Sequence, residues 1–180
     1  MSVRPSDYPP PWSSAEAIGV PTDPADERIE VGFLIVGAGP AGLAAAIRLG
    51  QLCEEDPQTA ERLGDVPVAV LEKGKTAGSH LLSGAVVNPR SLQRLFRGRK
   101  RLDEMPFYGA VEAESVLFLT KRQALRIPTP PTMVNERNLI ASVSRLGRWL
   151  AEEAEELGVT ILDEPAFQRL LEGGPDAIEA

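Results

Sequence analysis

The chain divides by its hydrophobic pattern into a stretch with no apolar period and a stretch dense with periodic segments. From residue 1 to about 28, Pro5, Pro9, Pro10, Pro11, Pro21 and Pro24 interrupt the sequence. Proline locks φ and lacks an amide, so neither helix nor strand is expected there, and the segment reads as a flexible leader. Order is expected from Ile29. Ile29–Val36 is a short β-branched and apolar run that predicts a strand buried on both faces. Leu43–Leu52, rich in alanine and leucine, predicts a helix. Polar residues 54–65 suit a helical extension or a surface loop, and Val66–Leu71 predicts a second buried strand ending at Glu72.

After Gly74 the pattern is irregular up to Asn88-Pro89. Asparagine as a cap with proline at the first helical position predicts a helix over Arg90–Phe96. Val116–Leu119 and Ala124–Ile127 are expected to pair as a hairpin across Thr120–Gln123. Ile127–Thr132, with its prolines, is expected to be extended. Leu139, Val143, Leu146, Leu150, Ala154 and Leu157 fall on one stripe, predicting a helix over Asn138–Leu157 capped by Gly158. Val159–Leu162 would be a third strand. Strand, helix and strand, then a long connection and another helix–strand unit, argue an α/β fold. The expected architecture is a Rossmann-like parallel sheet of the FAD/NAD(P)-binding type with a β-hairpin insert, occupying residues 29–180 as one domain.

The chemistry concentrates at Gly37-Ala38-Gly39-Pro40-Ala41-Gly42, a GxGxxG turn between a predicted strand and a predicted helix. Gly37 permits the sharp exit from the strand. Gly39 leaves room for a pyrophosphate against the backbone, and Gly42 lets the helix lie close to the sheet. First-turn amides and the helix dipole favour an anion there, and Pro40 costs no hydrogen bond at that position. Glycine-rich turns are common, so the turn alone is weak evidence. Glu72, at the end of the second strand, supplies the other half of the fingerprint as an acceptor for ribose hydroxyls. Thirty residues separate Gly42 from Glu72, against a usual spacing of about 20, and the polar segment 54–65 accounts for the excess. An acidic residue here argues against a 2′-phosphate, hence against NADP. These residues alone fit FAD or NAD.

Composition narrows the remaining possibilities. A net charge of −7 gives no reason to expect a nucleic-acid partner. The single cysteine, Cys53, supplies neither an internal disulfide nor a cysteine-rich metal site. The apolar run from Val31 to Ile47 contains Gly37, Gly39, Pro40 and Gly42, which would leave backbone groups unpaired in lipid. A soluble, reducing compartment is therefore expected, cytoplasmic or peripheral on an inner membrane. Arg90, Arg94, Arg97, Arg99, Lys100 and Arg101 form a basic cluster that reads as a solvated helix end, with steering of an acidic partner or contact with anionic lipid headgroups as the rival. Glu152–Glu156 reads as the solvent face of the long helix. The sole histidine, His80, has no visible nucleophile or carboxylate partner and reads as a structural group.

The segments LIVGAGPAGLAAAIRL, VLEKG, GSHLLSGAVVNPRSLQRLF and IPTPPTMVNERNLIASVSRLGRWLAEEAEELGV resemble the electron transfer flavoprotein–ubiquinone oxidoreductase family. The resemblance runs from about Val31 to Leu162, and GSHLLSG with NPR is its most specific part. It implies FAD as cofactor, with Gly37, Ala38, Gly39, Pro40, Ala41 and Gly42 at the pyrophosphate, Glu72 at the ribose and Lys73 beside it. Ser79, His80, Ser83 and Gly84 match the stretch that passes close to the flavin. It further implies electron transfer from reduced electron transfer flavoprotein to quinone, an iron–sulfur cluster, and a membrane-surface quinone site.

This sequence departs from that pattern in several places. The four cluster cysteines, a quinone-binding region and the late strand that closes the FAD site are missing, so the expected part is the N-terminal FAD-binding portion, incomplete at its C-terminus. Any membrane-surface association would run through regions absent here. Where the family commonly has asparagine–histidine–glycine–asparagine, this chain has Asn135-Glu136-Arg137-Asn138, and Ser142 stands at a frequent arginine position. Two rival readings stay open: another FAD-dependent reductase or hydroxylase of the same fold, and a truncated, non-catalytic nucleotide-binding fragment.

Overall fold

The computed structural model describes residues 29–82 and 84–162; the proline-rich leader, Ser83 and residues 163–180 lie outside the described residues. β1 (Phe33–Val36), β2 (Val68–Leu71) and β8 (Thr160–Leu162) form a parallel sheet in the order β1-β2-β8. A second, antiparallel sheet has the order β3 (Ala85–Val87), β7 (Leu139–Ala141), β4 (Phe107–Ala110). β5 (Val116–Leu119) and β6 (Ala124–Ile127) pair as the expected hairpin.

The helices are α1 (Pro40–Glu55), α2 (Pro57–Arg62), α3 (Arg90–Phe96) and α4 (Val143–Glu156). α1 starts at Pro40, whose missing amide would have had no acceptor in a first turn. The polar segment after it is helical. Asp56 caps α2 by accepting from the Thr59 amide, and Pro57 takes the first position. α3 spans the expected residues, but Pro89 stands at the cap instead of the first helical position, and Asn88 lies one residue before it, its side chain accepting from the Arg90 amide at 3.1 Å.

One core joins α1, α4 and the parallel sheet. Leu43, Ala46 and Ile47 of α1 meet Leu146, Leu150 and Ala154 of α4 over Val68 and Val70 of β2. All four residues of β2 are buried, as its unbroken apolar run requires when neighbours lie on both sides. The C-terminal turn after α3 is pinned to this core by charge. Arg99 pairs with Glu54 at 2.7 Å, Arg97 with Glu55 at 3.7 Å, and Lys100 with Glu153 at 2.9 Å and Glu156 at 3.5 Å. Much of the basic cluster thus ties α3 to α1 and α4, which corrects the reading of a plain solvated helix end. Glu153 is correspondingly buried on α4, a correction to its expected solvent face.

Four other expectations give way. β1 is not buried on both faces: Phe33, Leu34 and Val36 are exposed, because no described strand lies on its other edge. The long helix begins at Val143, with Ser142 as its cap. Leu139–Ala141 is instead a strand, because β3 and β4 claim its backbone from both sides. Pro131–Met133 forms a 3₁₀ turn inside the segment expected to be extended. Pro130 itself stays extended before a proline, while the fixed φ of Pro131 suits the first residue of a turn. β3 interrupts the stretch expected to be irregular, and β4 is likewise a strand the pattern did not predict.

Candidate functional site

The register of the parallel sheet builds the site. Val36 and Leu71 are partners in adjacent strands, so the residues that follow them, Gly37 and Glu72, leave the sheet side by side. The Gly37 amide donates to the Leu71 carbonyl at 2.7 Å, extending the ladder by one bond. Gly37 then turns at φ +103°, a conformation that L side chains rarely adopt. The Ala38 amide consequently donates to Glu72 Oε2 at 2.9 Å. The Gly74 amide donates to Glu72 Oε1 at 2.8 Å. Glu72 is therefore a nearly buried carboxylate, held in one orientation by two backbone donors.

Gly39 and Gly42 are glycines for different reasons. Among the described residues, none beyond its own chain neighbours comes within 4 Å of where a Gly39 Cβ would be, so that space is open for a ligand. A Cβ on Gly42 would fall 2.1 Å from the Gly37 carbonyl oxygen, so this position closes the turn against the helix. The first makes room for a ligand. The second makes the turn.

A cavity of about 340 Å³ lies over this arrangement, lined by Val36, Gly37, Ala38, Gly39, Leu71, Glu72, Lys73, Gly78, His80 and Leu81. It thus gathers Gly37, Ala38, Gly39, Glu72, Lys73 and His80 from the expected site residues. Pro40, Ala41 and Gly42 stand behind it in the first turn of α1. Ser79 is not among the residues that line the cavity, and its hydroxyl donates to the Thr76 carbonyl at 2.7 Å. Gly84 is exposed and does not line the cavity, and Ser83 lies outside the described residues.

His80 does have a carboxylate neighbour, contrary to the sequence expectation: its Nδ1 lies 3.8 Å from Glu72 Oε1.

The loop that carries His80 is held by contacts the sequence pattern did not reveal. A Cβ on Gly78 would meet the Ser144 carbonyl oxygen at 2.5 Å, and one on Gly147 would meet the Leu81 side chain at 2.9 Å. Loop and α4 therefore touch backbone to backbone. The available signal was Gly147 itself, since a glycine inside a helix costs roughly 1 kcal/mol against alanine and usually has a packing reason.

A second cleft of about 620 Å³ lies between the 103–107 turn and α4. Although larger, it mixes Asp103, Glu104 and Glu152 with Arg145 and Arg148.

Among the described residues no cluster of three metal-ligating side chains occurs, and no helix is long and apolar enough to cross a membrane.

No family model matches the chain. Curated proteins do. A mitochondrial electron transfer flavoprotein–ubiquinone oxidoreductase of Dictyostelium discoideum is 42% identical over 144 residues, covering 80% of this chain and 22% of that protein. An electron transfer flavoprotein–ubiquinone oxidoreductase of Pseudomonas aeruginosa is 43% identical over 149 residues, covering 81% of this chain and 26% of that protein. The chain spans about a quarter of the length of these relatives. Among solved structures, a variant of 2-methyl-3-hydroxypyridine-5-carboxylic acid oxygenase is 22% identical over 73% of this chain and 30% of its own, with a TM-score of 0.47. That likeness is slight, and the α/β assignment rests on the strand order and parallel register of the chain itself.

Proposed function

From the premise that this chain belongs, over about 80% of its length, with the electron transfer flavoprotein–ubiquinone oxidoreductase family, we propose that it holds the adenosine and pyrophosphate end of FAD within a flavin-dependent oxidoreductase. One observation carries the reading: a fixed, cavity-facing carboxylate and a glycine turn at a helix N-terminus share one cavity. The residues fit the cofactor. The space left by the absent Gly39 Cβ is where a pyrophosphate would approach, with the α1 amides and dipole facing its charge. Glu72 keeps a free lone pair on each oxygen for ribose hydroxyls after its two backbone bonds. Bound there, FAD would supply the redox chemistry of the protein.

The chain's own residues bind, orient and exclude. Glu72 orients the ribose and repels a 2′-phosphate by charge. Ala38 and Gly74 keep the carboxylate from rotating. Val36, at the cavity mouth, is exposed on the open edge of β1, so the described residues do not enclose a flavin ring. The transfer of electrons from reduced electron transfer flavoprotein to quinone belongs to this proposal as the activity of a longer protein. An iron–sulfur cluster needs about four cysteine thiolates, and the one cysteine of this chain does not fit it.

The test is an absorbance spectrum of the purified chain, followed by titration with FAD and with NAD. A bound yellow chromophore, or FAD affinity in the micromolar range that Glu72→Ala and Gly39→Val abolish, is expected. Binding of neither nucleotide, or equal binding by both variants, overturns the reading.

A further inference from the structure

We propose that His80 Nδ1 is a second acceptor for the ribose diol, so that the diol is bridged between Glu72 and His80 instead of being gripped by Glu72 alone. The inference rests on the FAD reading and adds to it a residue that sets nucleotide selectivity. Its starting point is the state of the Glu72 carboxylate. One oxygen already takes the Ala38 amide and the other the Gly74 amide, at 2.9 and 2.8 Å. Each oxygen is left with a single lone pair, so neither oxygen alone can accept both hydroxyls of the diol.

His80 faces the same cavity with a side chain 61% exposed, and it makes no hydrogen bond among the described residues. Its Nδ1 stands 3.8 Å from Glu72 Oε1. That separation is too long for a hydrogen bond between the two groups. It suits a third group that donates to both. Vicinal ribose hydroxyls lie roughly 2.8 Å apart, about one hydrogen-bond length, so each can reach one of the two acceptors. Neutral imidazole protonated on Nε2 presents Nδ1 as the acceptor required.

The spacing is built into the backbone. A Cβ on Gly74 would lie 3.0 Å from Glu72 Oε1 and 3.0 Å from both Nδ1 and Cε1 of His80, so a glycine floor lies under both acceptors. The 76–81 loop is closed by the Ser79 amide on the Thr76 carbonyl and the Leu81 amide on the Gly78 carbonyl. Gly78, packed on Ser144, anchors that loop to α4. His80 is exposed, but its placement is not left to chance.

The experiment titrates the full chain with ADP, 2′-deoxyADP and 3′-deoxyADP in competition with FAD, for wild type, His80→Ala, His80→Asn and Glu72→Ala. Wild type should lose affinity for each deoxy analogue by about fivefold, the value of one ordinary hydrogen bond. His80→Ala should bind ADP about fivefold more weakly and cease to distinguish ADP from one of the two analogues, while still penalising the other. His80→Asn, whose amide oxygen can replace Nδ1, should recover part of that discrimination. Unchanged penalties for both analogues in His80→Ala overturn the inference. If Glu72→Ala still abolishes binding in that case, the FAD reading survives without it. If wild type binds neither FAD nor ADP, both fall together.

Discussion

β2 and β5, one arm of the β5–β6 hairpin, are equally apolar strands, Val68-Ala-Val-Leu71 and Val116-Leu-Phe-Leu119, and they end in opposite environments. Every residue of β2 is at most 2% exposed, whereas Phe118 and Leu119 are 58% and 71% exposed. β2 has β1 and β8 on its two edges and α1 packed against it. The hairpin is a sheet of two strands with no further strand beside it among the described residues. β1 is intermediate, paired on one edge and, among the described residues, unpaired on the other. Local hydrophobicity makes a strand. Only partners that arrive from elsewhere in the chain make it a core strand.

The sharpest break of this contrast is truncation within the packed half. Leu150→Ala should cost about 2–5 kcal/mol, because Leu150 is 1% exposed between α4 and α1. Urea denaturation measures it, and a loss no greater than that of a hairpin substitution would undo the division into packed and open regions.

The site is expected to separate binding from folding. Gly39 has an ordinary extended backbone and empty space at its Cβ. Gly39→Val should therefore weaken FAD by at least about tenfold, or 1.4 kcal/mol, while leaving the urea midpoint unmoved. Gly42→Val, aimed at the Gly37 carbonyl, should lower both.

Charge gives the next effect. Lys100→Met would leave the buried Glu153 carboxylate without its cation and should cost about 1–3 kcal/mol. The hydrogen bond from Lys100 to Glu153 is the main cause that raises the Lys100 pKa above its ordinary value, with Glu156 adding to it. Its stabilisation is complete below the unfolded value of about 10.4 and fades as pH rises through the higher folded one. The gap between wild type and Lys100→Met should accordingly narrow in strongly alkaline buffer.

A smaller gain is expected in the open half. Arg137 sits at φ +67°, a left-handed conformation, in the position where the resemblance expected glycine. Arg137→Gly should stabilise by about 0.5–1 kcal/mol, the left-handed strain relieved less the extra freedom glycine brings to the unfolded chain. Thermal unfolding reads it directly. The smallest effect belongs to the hairpin, where Phe118→Ser should change stability by less than about 0.5 kcal/mol. Its apolar surface should still matter for self-association, which light scattering of concentrated samples would show as lower for the variant.

The parallel sheet, α1, α3 and the hairpin were readable because each is announced by a local cue: an apolar run, a proline at a helix start, a glycine turn. The halves of the site were readable for the same reason, since Gly37–Gly42 and Glu72 sit at strand ends whose pairing follows from the fold class. The carboxylate beside His80 was not foreseen. The two are close in space only because Gly74 and the 76–81 loop bend His80 back onto Glu72, and no period in the sequence encodes that bend. The stripe that ran back to Leu139 was real as spacing, but two flanking strands outcompeted helix for the backbone of residues 139–141.

By itself the sequence determined the elements and the chemical character of the turn, because propensity, capping and glycine's missing side chain act over a few residues. Tertiary structure alone decided which apolar strands are covered and which cations are spent in ion pairs. It also decided that Glu72 arrives at the cavity already bonded to Ala38 and Gly74. Those outcomes depend on contacts between residues far apart in the chain, whose free energies appear only once the strands and helices have met.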